Sequence, residues 1–173
     1  KSFKIDFLDV GQGDGIYLCT GGGTSMFIDG GSTDVKQVGK YRILPFLKAK
    51  GVSEISYWFV SHTDTDHVSG LKEVVVSGYR VEYLVFAKAV EKEAKTKELA
   101  ELARSHGTKV LYMQAGDTVR SKRAAMRCLY PKASDKAEDV NDLCLVLQFE
   151  EGDIRALFGG DVHRTLAGKG ESR

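Results

Sequence analysis

Two histidines and two aspartates crowd into the stretch Ser61-His62-Thr63-Asp64-Thr65-Asp66-His67. Imidazole nitrogens and carboxylate oxygens at that density are what a dinuclear site for divalent cations needs. In an extended loop His62 and Asp64 project the same way and could share one cation, while Asp66 and His67 are adjacent and can turn towards a second. A calcium loop starting at Asp64 does not fit. Ser69 stands where its sharp-turn glycine belongs, and Val75 where its bidentate glutamate belongs. The remaining alternative is a polar loop with no ligand role.

The elements around this stretch can be read from their patterns. Ile55-Ser56-Tyr57-Trp58-Phe59-Val60 reads as a buried strand, and Gly70 with Leu71-Lys72-Glu73-Val74-Val75-Val76 as a short helix, so the four candidate ligands are expected on a strand-to-helix loop. Upstream, residues 3–10, 15–20 and 25–29 read as a three-stranded meander with glycine turns. A helix is expected over about 38–50, ending at Gly51. Downstream come a strand over 81–86, a charged helix over about 90–106 closed by Gly107, and strands over 108–113, near Thr118, and over 124–130, 143–150 and 154–158. His106 is read as a cation at a helix C-terminus, and 132–141 as a loop. The pattern indicates one α/β domain, a sheet sandwich with helices outside.

Composition narrows the function classes. The 25 Lys and Arg nearly balance the 24 Asp and Glu, so overall charge demands no polyanionic partner. No apolar run approaches the roughly 20 residues of a membrane span. Cys19, Cys128 and Cys144 lie in apolar runs without a Cys-x-x-Cys pair, which argues for buried, inert thiols. Gly11-x-Gly13 lacks the third glycine of a dinucleotide fingerprint, since Ile16 takes its place, and no Gly-Lys-Ser/Thr follows Gly21 to Gly23. Both clusters are read as turns.

Three further aspartates fall at strand ends beside glycines: Asp9, Asp29 and Asp161. Glycine lets the backbone turn sharply and leaves a carboxylate at the sheet edge. Asp161 is the best candidate for a carboxylate bridging two ions.

The motifs Asp-Val-Gly-Gln-Gly-Asp at 9–14, Phe-Ile-Asp-Gly-Gly at 27–31, Ser-His-Thr-Asp-Thr-Asp-His-Val-Ser-Gly at 61–70, Asn-Asp-Leu-Cys-Leu-Val-Leu at 141–147 and Gly-Gly-Asp at 159–161 together resemble the metallo-β-lactamase-type domain of ComEC competence proteins and their stand-alone relatives. Asp64 stands where most of the superfamily carries a second histidine. The resemblance implies a metallo-β-lactamase-like four-layer αβ/βα sandwich over residues 1–173. It implies His62 and Asp64 as ligands of a first metal, Asp66 and His67 of a second, and Asp161 between them. Asp66 is the residue whose loss should abolish catalysis. Asp29 would order the loop from behind the ligands, and Asn141 lies near the place of the superfamily's third histidine. The cofactors implied are two divalent ions, manganese, zinc or magnesium; three carboxylates favour the harder ions and two histidines keep zinc in play. The family's further His-His-Gly-Ser motif does not occur before Arg173, and His163 is too near Asp161 to replace it. The expectation is a C-terminally truncated domain that holds its second metal weakly.

By the same resemblance the function is that of a metal-dependent phosphodiesterase, a DNase in DNA uptake. Its partner is DNA and its parent chain could carry a membrane channel; its location is left open by the sequence, being the extracytoplasmic face of a bacterial membrane if the chain is part of a ComEC-type protein and soluble otherwise. Two other readings stay open: a hydrolase of a small ester, thioester or lactam, and a non-catalytic domain that binds nucleic acid, for which Arg120, Lys122, Arg123 and Arg127 could contact phosphates.

Overall fold

Strands β1 (Lys4–Phe7), β2 (Gly15–Cys19) and β3 (Ser25–Asp29) form the expected antiparallel meander. From β3 the chain crosses over helices three times, adding β4 (Glu54–Phe59), β5 (Arg80–Ala87) and β6 (Lys109–Met113) in parallel. The sheet order is β1-β2-β3-β4-β5-β6. The crossovers carry α1 (Leu44–Ala49), entered through a π-turn at Gly39–Ile43, then α2 (Thr65–Val76) and α3 (Ala94–Ser105). A second, antiparallel sheet follows: β7 (Thr118–Ser121), β8 (Ala124–Tyr130), β9 (Val146–Glu151), β10 (Ile154–Gly159) and β11 (Thr165–Gly168). The computed structural model describes residues 2–159 and the backbone of 165–168.

Strand alternation divides the interior into two cores. Phe27, Trp58, Val81, Leu84 and Phe86 face the helices, where they meet Leu47, Leu71, Val74 and Leu99. Their neighbours Met26, Ile28, Phe59 and Val85 face the second sheet and meet Met126, Leu147, Phe149 and Phe158. The first sheet is buried on both faces, which explains why its strands read as nearly continuous apolar runs. The layers described are helices, sheet and sheet. Among the described residues no helix is long and apolar enough to cross a membrane.

Several boundaries move. Helix α2 starts at Thr65, five residues before the expected Gly70, so Asp66 and His67 lie in its first turn and not in an extended loop. Gly70 sits inside the helix for a packing reason: a Cβ there would fall 2.5 Å from Ile43 Cδ1 and 2.7 Å from the Gly30 carbonyl. Its lack of a side chain marks a close approach, where the sequence pattern suggested a helix start. Helix α3 begins at Ala94 after a short 3-10 turn, Lys88–Val90. A second 3-10 turn, Val140–Leu143, replaces the start of the strand expected from 143, and β1 ends at Phe7, leaving Asp9 in a loop. Of the thiols only Cys128 is buried; Cys19 and Cys144 are half-buried, and all three are free.

Candidate metal centre

In a parallel sheet, ligands gather beyond the carboxyl ends of the strands. Here that edge holds Asp29 at the end of β3, Ser61 and His62 just past β4, and the first turn of α2. Because β2 runs antiparallel to β3 with Gly15 opposite Asp29, Asp14 falls at the same edge. Two loop backbones and the first turn of α2 close around it. The Asp14 carbonyl accepts from Gly30 N at 2.7 Å and Gly31 N at 3.0 Å, and Asp14 N donates to the Asp66 carbonyl at 3.2 Å. A Cβ on Gly31 would fall 2.4 Å from the Thr65 carbonyl, so the loop after β3 can pack on α2 only as glycine.

Asp29 is the hub. It is 3% exposed and holds a positive φ of 62°, a conformation that aspartate tolerates better than most residues. Its Oδ1 accepts from Ser61 N at 2.7 Å, and its Oδ2 from Ser61 Oγ at 2.6 Å and His67 Nδ1 at 3.0 Å. Its own carbonyl accepts the indole N–H of Trp58. One carboxylate thus ties the loop after β4 to the helix that follows it.

With Nδ1 bonded to Asp29, the Nε2 of His67 faces Asp66, whose Oδ2 is 3.5 Å away. The rings of His62 and His67 stand 4.6 Å apart between centroids. Asp14 Oδ2 lies 3.6 Å from His67 Nδ1, and Asp14, Asp29 and His67 form a group whose donor atoms all lie within 4.8 Å. Burial opposes charge on the His67 imidazole. The bond to Asp29 and the negative charges of Asp29, Asp66 and Asp14 outweigh it and lift the His67 pKa to about 9. Without a metal, the group of three is a proton-holding network. A histidine gripped by a carboxylate on one nitrogen and offering the other beside a second carboxylate is the arrangement metal ligands take, so His67 and Asp66 fit a divalent ion.

The other candidates are placed differently. Asp64 is extended at the N-cap of α2 without capping it, and its Oδ1 meets Lys95 Nζ of α3 at 3.4 Å, which draws it into an ion pair on the α3 side. Asn141 and His62 line one crevice with Val60, Thr63 and Leu143; its volume, about 10 Å³, is room for roughly one water. Asp161 and His163 lie outside the described residues. Asp9 is exposed, 3.8 Å from Arg42. Lys122 and Arg123 sit at the β7–β8 turn, where Lys122 Nζ donates to the Gly22 carbonyl at 2.7 Å, at the sheet end opposite Asp29. Asp14, Ser61 and Lys95 were given no role from the sequence. Asp14 had one usable signal, its position just before a strand antiparallel to the one that ends in Asp29.

No family model matches the sequence. Among solved structures, the metallo-β-lactamase fold protein YhfI from Bacillus subtilis superposes with a TM-score of 0.64 at 14% identity, over 93% of this chain and 63% of that one. This chain has the metallo-β-lactamase fold. The same fold is matched in Zn(2+)-bound PqqB from Methylobacterium extorquens, with a TM-score of 0.57, 12% identity, and 84% of this chain on 48% of that one. It is matched again in CmlA, a diiron β-hydroxylase from Streptomyces venezuelae, with a TM-score of 0.57, 16% identity, and 93% on 30%. In sequence, a relative is ComE operon protein 3 of Bacillus subtilis (strain 168), 28% identical over 174 residues. The alignment covers 93% of this chain and 22% of that protein, so the chain spans about a fifth of this curated relative's length. The metallo-β-lactamase fold and a ComEC-like relative thus agree with the resemblance carried by the motifs.

Proposed function

We propose that this chain is a metal-dependent phosphodiesterase whose substrate is DNA. The observation that carries the reading is the convergence of His67 Nε2 and Asp66 beside the His62 ring, with His67 held from behind by Asp29. His62 and Asp64 would hold one divalent ion and Asp66 and His67 another, with Asp161 as the bridging carboxylate. When bound, such a pair of ions supplies Lewis acidity to a phosphodiester and an activated water. The chain's own part is positional. Asp29 fixes the His67 ring and the Ser61 backbone, and α2 presents Asp66, whose side chain is 37% exposed and open to substrate. Asp64 also meets Lys95 through Oδ1 at 3.4 Å, so an ion at that position shares its carboxylate with an ion pair across two elements. DNA as substrate rests on the ComEC-type motifs and on the relative named ComE operon protein 3.

The test is cleavage of single- and double-stranded DNA with manganese, magnesium or zinc, with Asp66→Ala as control. Cleavage that needs a metal and disappears in the variant is expected. Hydrolysis of small esters or thioesters with DNA left intact would move the reading to the other hydrolases of this fold. Absence of metal binding in the wild type would remove the enzyme reading.

A further inference from the structure

Charge is nearly balanced over the whole chain but not along it. Residues 35–53 contain Lys36, Lys40, Arg42, Lys48 and Lys50 and not one acidic residue. This segment leaves the rim of the metal centre directly. Gly31 lies against the first turn of α2, Ser32 N donates to Ser69 Oγ of that helix at 2.9 Å, and Thr33 N donates to the Gln12 carbonyl of the loop after β1 at 2.9 Å. Asp34, just before this run, turns its Oδ1 to Gln12 N at 2.8 Å and Ser32 Oγ at 2.9 Å and leaves a net positive charge on the residues that follow.

The turn over 36–42 is fixed from beneath and charged on top. Val38, Ile43 and Leu47 are fully buried. Gly39 N donates to Glu73 Oε2 of α2 at 3.0 Å, and a Cβ on Gly39 would meet the Gly70 carbonyl at 2.6 Å. Lys36, Lys40, Tyr41 and Arg42 point outward and are exposed, Tyr41 at 59%. Lys40 Nζ stands 5.2 Å from the Tyr41 ring centroid. Arg42 reaches Asp9 at 3.8 Å, both largely in solvent, and Lys36 and Lys40 have no ion pair among the described residues.

Exposed cations interleaved with one exposed aromatic are the chemistry of single-stranded polynucleotide binding: cations follow the phosphates, and a ring stacks a base whatever its sequence. We infer that the 36–42 turn guides a single-stranded polynucleotide to the metal centre, with Lys36, Lys40 and Arg42 on backbone phosphates and Tyr41 stacked on a base. The inference rests on the phosphodiesterase reading for its purpose. Before any ion binds, the rim carries Asp14, Asp29, Asp64 and Asp66, and a cationic surface beside it favours the approach of a polyanion. The basic residues at the β7–β8 turn cannot supply one, being at the other end of the sheet.

The test is binding of a labelled oligothymidylate, followed by fluorescence anisotropy in EDTA so that no cleavage enters the readout, over a range of salt. The variant Lys36→Gln/Lys40→Gln/Arg42→Gln is expected to bind at least ten-fold more weakly, with the slope of log K against log salt reduced by about 2, as three lost phosphate contacts require. Tyr41→Ala should weaken binding about five-fold or more at unchanged slope. Lys122→Gln/Arg123→Gln should bind like wild type. All these positions are exposed, and unchanged melting confirms folding. Wild-type affinity and slope in the triple variant overturn the inference even if metal-dependent cleavage is found. Lost binding in the triple variant supports it even if no metal gives cleavage. A wild type that ignores the oligonucleotide but sediments with phosphatidylserine vesicles overturns it in favour of a membrane surface.

Discussion

His67 Nδ1 donates to Asp29 Oδ2 across 3.0 Å, joining the first turn of α2 to the end of β3. The same carboxylate holds Ser61, so a single acidic side chain sets the loop that follows β4 and the direction in which His67 offers its second nitrogen.

Replacing Asp29 by Asn tests that role with little change in shape, since Asn also tolerates a positive φ. Metal affinity of Asp29→Asn, measured against a competing chelator, should fall about 10- to 100-fold, as when a carboxylate behind a metal-binding histidine is lost. Ser61→Ala, which keeps the backbone donor to Oδ1, should lose less. Equal affinities in wild type and Asp29→Asn would remove Asp29 from the site.

In the metal-free protein the raised His67 pKa is a source of stability. It rises from 6.5 to about 9 on folding, so its contribution is complete below about pH 6.5 and is lost as the pH climbs through 9. The loss is on the order of 3 kcal/mol. Urea unfolding in EDTA between pH 6.5 and 9.5 should show this fall in the wild type and a smaller one in Asp29→Asn; parallel profiles would refute it.

Gly70→Ala should destabilise in spite of alanine's better helix propensity. The gain is about 1 kcal/mol, but the new Cβ would lie 2.5 Å from Ile43 Cδ1 and 2.7 Å from the Gly30 carbonyl, and overpacking costs about 1–3 kcal/mol or more. Since α2 must shift to relieve the clash, metal affinity should drop with stability. Denaturation and metal titration of one variant check both.

Thr96, in the first turn of α3, is fully buried, and its Oγ1 has no hydrogen-bond partner among the described residues. Thr96→Val keeps the shape and removes the stranded hydroxyl. Its stability should rise by about 1–2 kcal/mol, read as a higher denaturation midpoint with metal binding unchanged.

The sequence carried the strands of both sheets well, because alternation around Phe27, Trp58 and Phe149 leaves period-two and continuous apolar signals that survive without tertiary context. It misjudged α2 because Thr65 to Ser69 look like a polar loop; in the fold this stretch packs closely on the loop after β3, with Gly31 against the Thr65 carbonyl and Gly70 against the Gly30 carbonyl, contacts between residues distant in sequence. The ligand types were legible in residues 61–67, but their directions were not. Asp64 turns to Lys95, 31 positions away, and Asp14 reaches His67 only because β2 is antiparallel to β3.

Trp58 is the chain's single tryptophan, and its indole N–H is bonded to the backbone carbonyl of the residue that orients His67. It stacks on Phe27 at 4.4 Å and is wholly shielded from water. The domain therefore contains an optical reporter one bond from its candidate centre. Filling that centre should alter the intensity or wavelength of tryptophan emission, and the affinity of each cation can be read from light emitted by the unlabelled protein.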